Sequence, residues 1–383
     1  MLPRKDLNLT PSAIRPCSSA APVGLSWIRG ALPHYFAPNS QHHLRVMTRT
    51  ALGGGGLHLF WCVFPLALLP YLVLAWPLLN TAAGALAYVL TTALGGAVAA
   101  RSARRYNVAA LSSPLVHWRY WVFYGLALPL YVGVVPPVVL YTRRPLAAGA
   151  LALVLALAKV GVCMSVCLHR YAAHRAFDAG PLVRLGLGAL GTLAMQGGPI
   201  WWASMHRRHH RHCDGARDPH SPVQVGVLGA FAFFSRPEHL DVDETFAPAH
   251  CNSAAMRVLD RWCFVPVAVE WSLAYALVGP VGLWVACVSS AYCQCLTLGF
   301  NVNNHPKTAT ADGAGCRAID SAGDDDAAKG ASAMHTLQSW NLLGEGAHKH
   351  HHVHPALWRR PGVDAPHLFV RFLYASGLVH TRS

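Results

Sequence analysis

The sequence predicts an all-α integral membrane protein, on three observations. About 53% of its 383 residues are hydrophobic and only 13% are charged, about half the charge of a usual soluble domain. The apolar residues fall in runs close to the ~20 residues a helix needs to cross a hydrocarbon core. Histidine occurs 23 times and is strongly clustered. The net charge of +14 would suggest nucleic acid in a soluble chain. Beside spanning helices it marks the cytoplasmic face or a negatively charged substrate, and no nucleic-acid partner is expected. The eleven cysteines include no CxxC pair, and Cys163, Cys167, Cys287, Cys293 and Cys295 sit in apolar runs. This argues against a disulfide framework, a zinc ribbon or an iron–sulfur site.

Residues 1–56 read as an irregular basic segment or a transit peptide, rich in proline and ending in the glycine run Gly53 to Gly56. Residues 57–117 form an additional apolar region. It holds Leu59–Leu79 and the weaker Gly84–Ala100, which fits a buried or interfacial helix equally well. Trp118–Tyr141 and Leu146–Leu168 make the next pair, stopped by Arg143-Arg144 and by His169-Arg170. Trp262–Val278 and Gly279–Phe300 make the last, with prolines that membrane helices tolerate. Leu182–Trp202 is apolar but glycine-rich. A span there would put the histidines before and after it on opposite faces of the bilayer, so it reads as interfacial.

The expected architecture is therefore two transmembrane hairpins plus a cytoplasmic helical cap holding a histidine-rich dimetal site, with an extra N-terminal hairpin. The central domain covers 118–375, interrupted by an insertion loop at about 309–330, and 376–383 reads as a C-terminal tail. Asp312–Lys329 lacks the glycine and glutamate spacing of a calcium loop.

Fourteen of the 23 histidines lie in two windows, 169–220 and 305–354. His169-Arg170-Tyr171-Ala172-Ala173-His174 begins where an apolar run ends. On an α-helix a separation of five leaves two rings about 140° apart, so convergence needs an adjusted last turn. His206-Arg207-Arg208-His209-His210 puts His206 and His210 one turn apart, and His348-Lys349-His350-His351-His352 repeats that spacing. At these recurrent spacings the stretches offer eight imidazoles, His350 aside, donors that suit iron, zinc, copper or nickel rather than magnesium or calcium. Eight exceed what one site needs, so at least two metal positions are implied. A metal-buffering patch or a phospholipid-binding face is the blander reading, and His212, His220, His350 and His354 fit it.

HRYAAH at 169–174, HRRHH at 206–210 with CDGARDPHSP at 213–222, Asn301-Val302-Asn303-Asn304-His305, and GEGAHKHHHVHP at 344–355 together resemble the boxes of the membrane fatty acid desaturases. The likeness is to the acyl-CoA (stearoyl-type, delta-9) branch, over about 118–375. By that resemblance nine histidines ligate two irons (Fe2+/Fe3+): His169, His174, His206, His209, His210, His305, His348, His351 and His352. Asn301 contacts the centre through a water, Trp202 shapes a kinked acyl tunnel, and Arg207 and Arg208 contribute to a basic entrance. Met205 departs from the pattern, since the stearoyl-type enzymes carry aspartate there; that bond to His206 must come from elsewhere or be absent.

The implied reaction is oxygen-dependent insertion of a cis double bond into a saturated fatty acyl chain, acyl-CoA and delta-9-like. No side chain can oxidise an unactivated methylene, so metal must carry that step. Asp178, Asp214, Asp218 and Glu345 are candidates to orient the imidazoles. The implied partners are O2, the lipid bilayer and a separate electron donor, cytochrome b5 or ferredoxin. Endoplasmic reticulum, plastid and bacterial inner membrane all fit. The rival readings are an acyl-lipid desaturase, a related diiron hydroxylase, and a metal-binding membrane protein or transporter, for which Glu270 is the main intramembrane carboxylate.

Overall fold

A computed structural model gives the fold. It describes residues 69–105, 138–305 and 343–381, apart from 216, 232, 236–238, 240–241 and 347. The N-terminal segment 1–56, residues 59–68 of the first apolar run, most of Trp118–Tyr141 and the insertion at 309–330 lie outside the described residues.

Helix α1, Leu69–Leu79, and helix α2, Ala82–Arg105, form the N-terminal pair. Thr81 stands before α2 and its Oγ1 accepts from Gly84 N at 3.0 Å, satisfying one of the orphan donors at a helix start. A helical turn, Val138–Tyr141, is tied to α1 by Tyr141 Oη donating to Leu74 O at 3.0 Å.

Helix α3, Pro145–Ala173, and helix α9, Pro280–Asn304, are each long and apolar enough to cross a membrane. Between them lie α4 (Pro181–Thr192), α5 (Pro199–His212), α6 (Pro222–Phe231), α7 (Ala254–Arg261) and α8 (Phe264–Val278). The α7–α8 pair is bent by 61° and counts as a third candidate only if both halves form one broken span. These candidates are counted among the described residues only; residues 59–68 of the first apolar run and most of Trp118–Tyr141 lie outside them. Within α2, Ala82–Thr91 is an apolar stretch among the described residues. Leu182–Trp202 is no continuous helix: Met195 (φ 57°) and Gly197 (φ 91°) turn the chain between α4 and α5. A Cβ at Gly197 would also strike the Trp201 ring, so only glycine suits this turn.

Gly279, at φ 72°, reverses the chain from α8 into α9, with Pro280 starting the next helix. Helices α3, α8 and α9 pack together. Across them Lys159 Nζ lies 2.7 Å from Glu270 Oε1 and donates to Ser290 Oγ at 2.7 Å. Glu270, read from sequence as the main intramembrane carboxylate, is thus paired with a lysine that the sequence reading passed over.

Helices α10 (His348–Val353) and α11 (Pro366–Ala375) complete the fold. The all-α expectation misses one small sheet. Phe177–Ala179 (β1) pairs antiparallel with Val379–Thr381 (β2), in the register Phe177↔Thr381. Residues read as a tail are therefore stitched beside the end of α3. Val370 and Leu373 of α11 are buried in the same region.

Candidate metal centre

From Lys159 to Ala173 the backbone of α3 winds in wide π-type turns. The N–H of His174 donates to His169 O at 3.1 Å, five residues back. Such turns are rare and often mark functional sites. They stack residue i+5 over residue i, which brings the two rings to 5.1 Å. The adjustment that the five-residue spacing demanded is thus spread over fifteen residues.

Helix α5 carries His206, His209 and His210. Its first turn is held by Asp260 of α7, whose Oδ1 accepts from Ile200 N (2.8 Å) and Trp201 N (2.9 Å). A side chain at Gly198 would collide with that carboxylate. Helix α9 ends by delivering Asn301 and His305, and α10 presents His348, His351 and His352.

These elements bring all nine predicted histidines into two groups. His169, His174, His206, His210 and His351 form one; His209, His305, His348 and His352 form the other. Within each, the donor atoms lie within 4.8 Å of one another. In the first, Nε2 atoms face each other from His351 to His169 at 2.7 Å, His351 to His210 at 2.9 Å, and His206 to His174 and His210 at 3.0 Å. In the second, His348 Nε2 lies 3.0 Å from His305 Nε2 and 3.2 Å from His352 Nε2.

Carboxylates stand behind three of the rings. Asp218 Oδ2 is 2.8 Å from His209 Nδ1, Asp214 Oδ2 is 3.0 Å from His305 Nδ1, and Glu345 Oε2 is 3.4 Å from His169 Nδ1. A carboxylate at Nδ1 keeps the proton there and leaves Nε2 as a lone pair. Lone pairs turned toward one another repel unless a cation lies between them. His209 Nε2 is buried with no hydrogen-bond partner. The donor set therefore fits two metal ions of the kind that imidazole prefers.

Burial holds His206, His209, His210, His348, His351 and His352 well below the usual imidazole range, so they stay neutral and able to ligate. Burial pushes Glu345 up, but the His169 contact and the Arg360 and Arg170 charges outweigh it and bring the carboxyl down to about 2. For Asp214 the His305 contact likewise wins over burial and lowers the value. Asp218 is raised, chiefly by burial.

A cavity opens against this cluster, lined by His169, His206, His348, Trp202, Met164 and Asn301 among others. A second space shares Gln196, Trp202, Phe233 and Leu298 with it and continues to Met195 and Gln294. Trp202 stacks on His206 at 4.8 Å and donates its Nε1–H to Gln196 Oε1 at 3.0 Å. Gln196 Nε2 donates to Thr297 Oγ1 at 2.9 Å. The reading from sequence found Trp202 but missed Gln196 and Thr297, whose separation of 101 residues carries no local signal. It also set aside His220, which lines the cavity, stacks on His209 at 4.4 Å and is lowered to about 3 by burial.

Other candidates lie elsewhere. Arg207 is exposed. Arg208 donates to Arg217 O at 2.9 Å and approaches Asp243 Oδ2 at 3.7 Å. Asp178 does not brace a histidine; it pairs with Arg175 at 2.6 Å near the surface. Three carboxylates from other segments supply bracing that the Met205 position lacks, although none of them contacts His206.

Comparison with known proteins agrees with this geometry. An sn-2 palmitoyl-lipid 9-desaturase of Nostoc sp. (strain 36) is 28% identical over 205 residues, 51% of this chain and 65% of the relative. An sn-1 stearoyl-lipid 9-desaturase of Anabaena variabilis is 28% identical over 177 residues, 44% of this chain and 61% of the relative. A probable lipid desaturase of Arabidopsis thaliana, ADS3.2, chloroplastic, is 47% identical over 64 residues, 17% of this chain and 18% of the relative. The matched stretches span less than two thirds of each relative's length. Residues 144–361, more than half of the chain, match the fatty acid desaturase family. With both histidine groups inside that stretch, this chain belongs to the fatty acid desaturase family.

Proposed function

We propose that the protein introduces a cis double bond into a saturated fatty acyl chain, using O2 and electrons from a separate donor, cytochrome b5 or ferredoxin. One observation carries the reading: nine imidazoles from distant segments converge in two groups beside a mostly apolar cavity. The nine histidines would hold two irons, with Asn301 reaching the centre through a water. When bound, the metals supply the one-electron chemistry with dioxygen that side chains lack.

The chain's own residues do the rest. Asp218, Asp214 and Glu345 fix the tautomers of His209, His305 and His169. Trp202, held by Gln196 and Thr297, forms the wall that sets where an acyl chain bends. The cavity lining is mostly apolar, and each buried CH₂ adds about 0.8 kcal/mol to holding the chain in register. A delta-9-like position follows from the motif resemblance. The carrier reading moves from acyl-CoA toward a lipid-bound acyl group, because the two relatives with the longest matches above are named lipid 9-desaturases. The membrane-embedded, multi-pass reading rests on α3, α9 and the bent α7–α8 pair.

The test is expression in a host that requires unsaturated fatty acids, with double-bond position read from lipids separated by class. Growth with a new alkene in glycerolipids is expected. Label enriched first in acyl-CoA would restore the acyl-CoA carrier. Oxygen retained in the product would show a hydroxylase, and metal flux without lipid conversion would show a transporter.

A further inference from the structure

Helix α9 carries a polar side chain that the metal centre does not use. Gln294, Leu298, Asn301 and His305 recur at spacings of four, three and four. One face of α9 therefore runs from the second histidine group, past the cavity, to the second space. Gln294 stands about 10 Å along the helix from Asn301, on the side away from the histidines. It lines the second space and is only 5% exposed. Its Oε1 is buried with no hydrogen-bond partner among the described residues.

The other polar side chains lining that space are engaged. Gln196 accepts from Trp202 and donates to Thr297, and Trp201 Nε1 donates to His239 O at 2.6 Å. The remaining lining is apolar: Met195, Gly197, Phe233, Phe234 and Leu298. A buried amide is costly in a helix apolar enough to cross a membrane, and such residues mark functional positions. Here it sets one free acceptor in an otherwise apolar lining. A methyl-ended tail filling the space would strand that carbonyl, which costs about 5–150-fold in affinity. Each further buried CH₂ returns only about fourfold. A hydroxyl at the end of the tail would instead donate to Oε1.

We propose, resting on the reading of the cavity as an acyl site, that Gln294 is a specificity-determining residue. It forms a polar stop that limits methyl-ended chains to those whose tail falls short of it, and it admits a longer chain that carries a hydroxyl at its tail.

Binding tests this without turnover. Saturated fatty acids lengthened two carbons at a time displace a fluorescent polyene fatty acid from the detergent-solubilised full chain. Affinity should climb with length and then fall at the chain whose methyl end reaches Gln294. At that length a hydroxyl on the terminal carbon should restore binding at least about fivefold. In Gln294→Leu the fall should vanish and the preference for the hydroxyl should reverse, and Gln294→Met should behave alike. Should neither variant fold, the methyl and hydroxyl chains compared on the parent still decide. Equal binding of those two chains, or one length profile shared by parent and variant, overturns the stop. Product analysis in parallel separates the two readings. A stop in binding with no alkene formed defeats the desaturase reading alone, and alkene formed with a length profile that Gln294→Leu leaves unmoved defeats only the stop. Binding of no chain at all removes both.

Discussion

The two histidine groups differ in how they are held. The group of five has one carboxylate behind it, Glu345 at 3.4 Å from His169. The group of four has two, Asp218 at 2.8 Å and Asp214 at 3.0 Å. Asp218 Oδ2 also accepts from Asp214 N at 2.7 Å, and Asp214 Oδ1 accepts from Ser221 Oγ at 2.8 Å. The DPH tail after α5 is thus a compact brace for the smaller group. Fewer imidazoles are offset by firmer orientation there, while the larger group relies on number and on the wide turns of α3.

The harshest way to break this comparison is to remove one donor from each side. His206→Ala should cut iron from near two per chain to one or fewer, and His348→Ala should do the same from the other group. Product formation should fall more than a hundredfold in both, read by metal analysis and lipid profiling of the same preparations. Full activity at wild-type iron content in either variant would refute the assignment.

Next in size are the braces. Asp218→Asn or Asp214→Asn should weaken metal binding about 10–100-fold, with Glu345→Gln falling below either because its contact is longer. Competition with a chelator measures the order, and the reverse order would mean that contact length does not set the bracing.

A smaller effect is expected from pH. Burial lowers His206, His209, His210, His348, His351 and His352, and His220 to about 3. The unfolded chain binds protons from about pH 6.5 downward while the folded one resists. Stability contributed by these groups is therefore complete above about 6.5 and is lost as pH falls toward their folded values. For His220 that window is pH 6.5 to about 3. The unfolding midpoint of metal-free protein should drop on acidification from about pH 7 to about pH 5, and His220→Phe should shallow the slope. The least effect should come from shortening Asp312–Lys329, which is expected to leave metal content unchanged.

Much of the site was legible because its signals are local. The HxxHH repeats place rings one helical turn apart on α5 and α10, and Asp214, Asp218 and Glu345 each lie beside a box, although only Asp218 braces the box it adjoins; Asp214 reaches His305 and Glu345 reaches His169. What stayed hidden depends on tertiary contact. The pairing of Gln196 with Thr297, the Asp260 cap on α5 and the Lys159–Glu270 pair each join residues at least 59 positions apart. The wide turns of α3 escaped for another reason: propensity describes α-helix, and only the need to align His169 with His174 hinted at a different winding. The β1–β2 pairing gave no sign because three-residue strands carry almost no alternation.

The contact between His169 and His351 spans 182 positions. At translation rates of about 5–20 residues per second, roughly 9–36 s separate the emergence of the two rings. During that interval the earlier imidazoles exist without the partners that would enclose an ion. On the proposed dimetal reading, metal delivery follows synthesis as a maturation step, and cells making this protein faster than they can supply the metal would accumulate a complete but empty polypeptide.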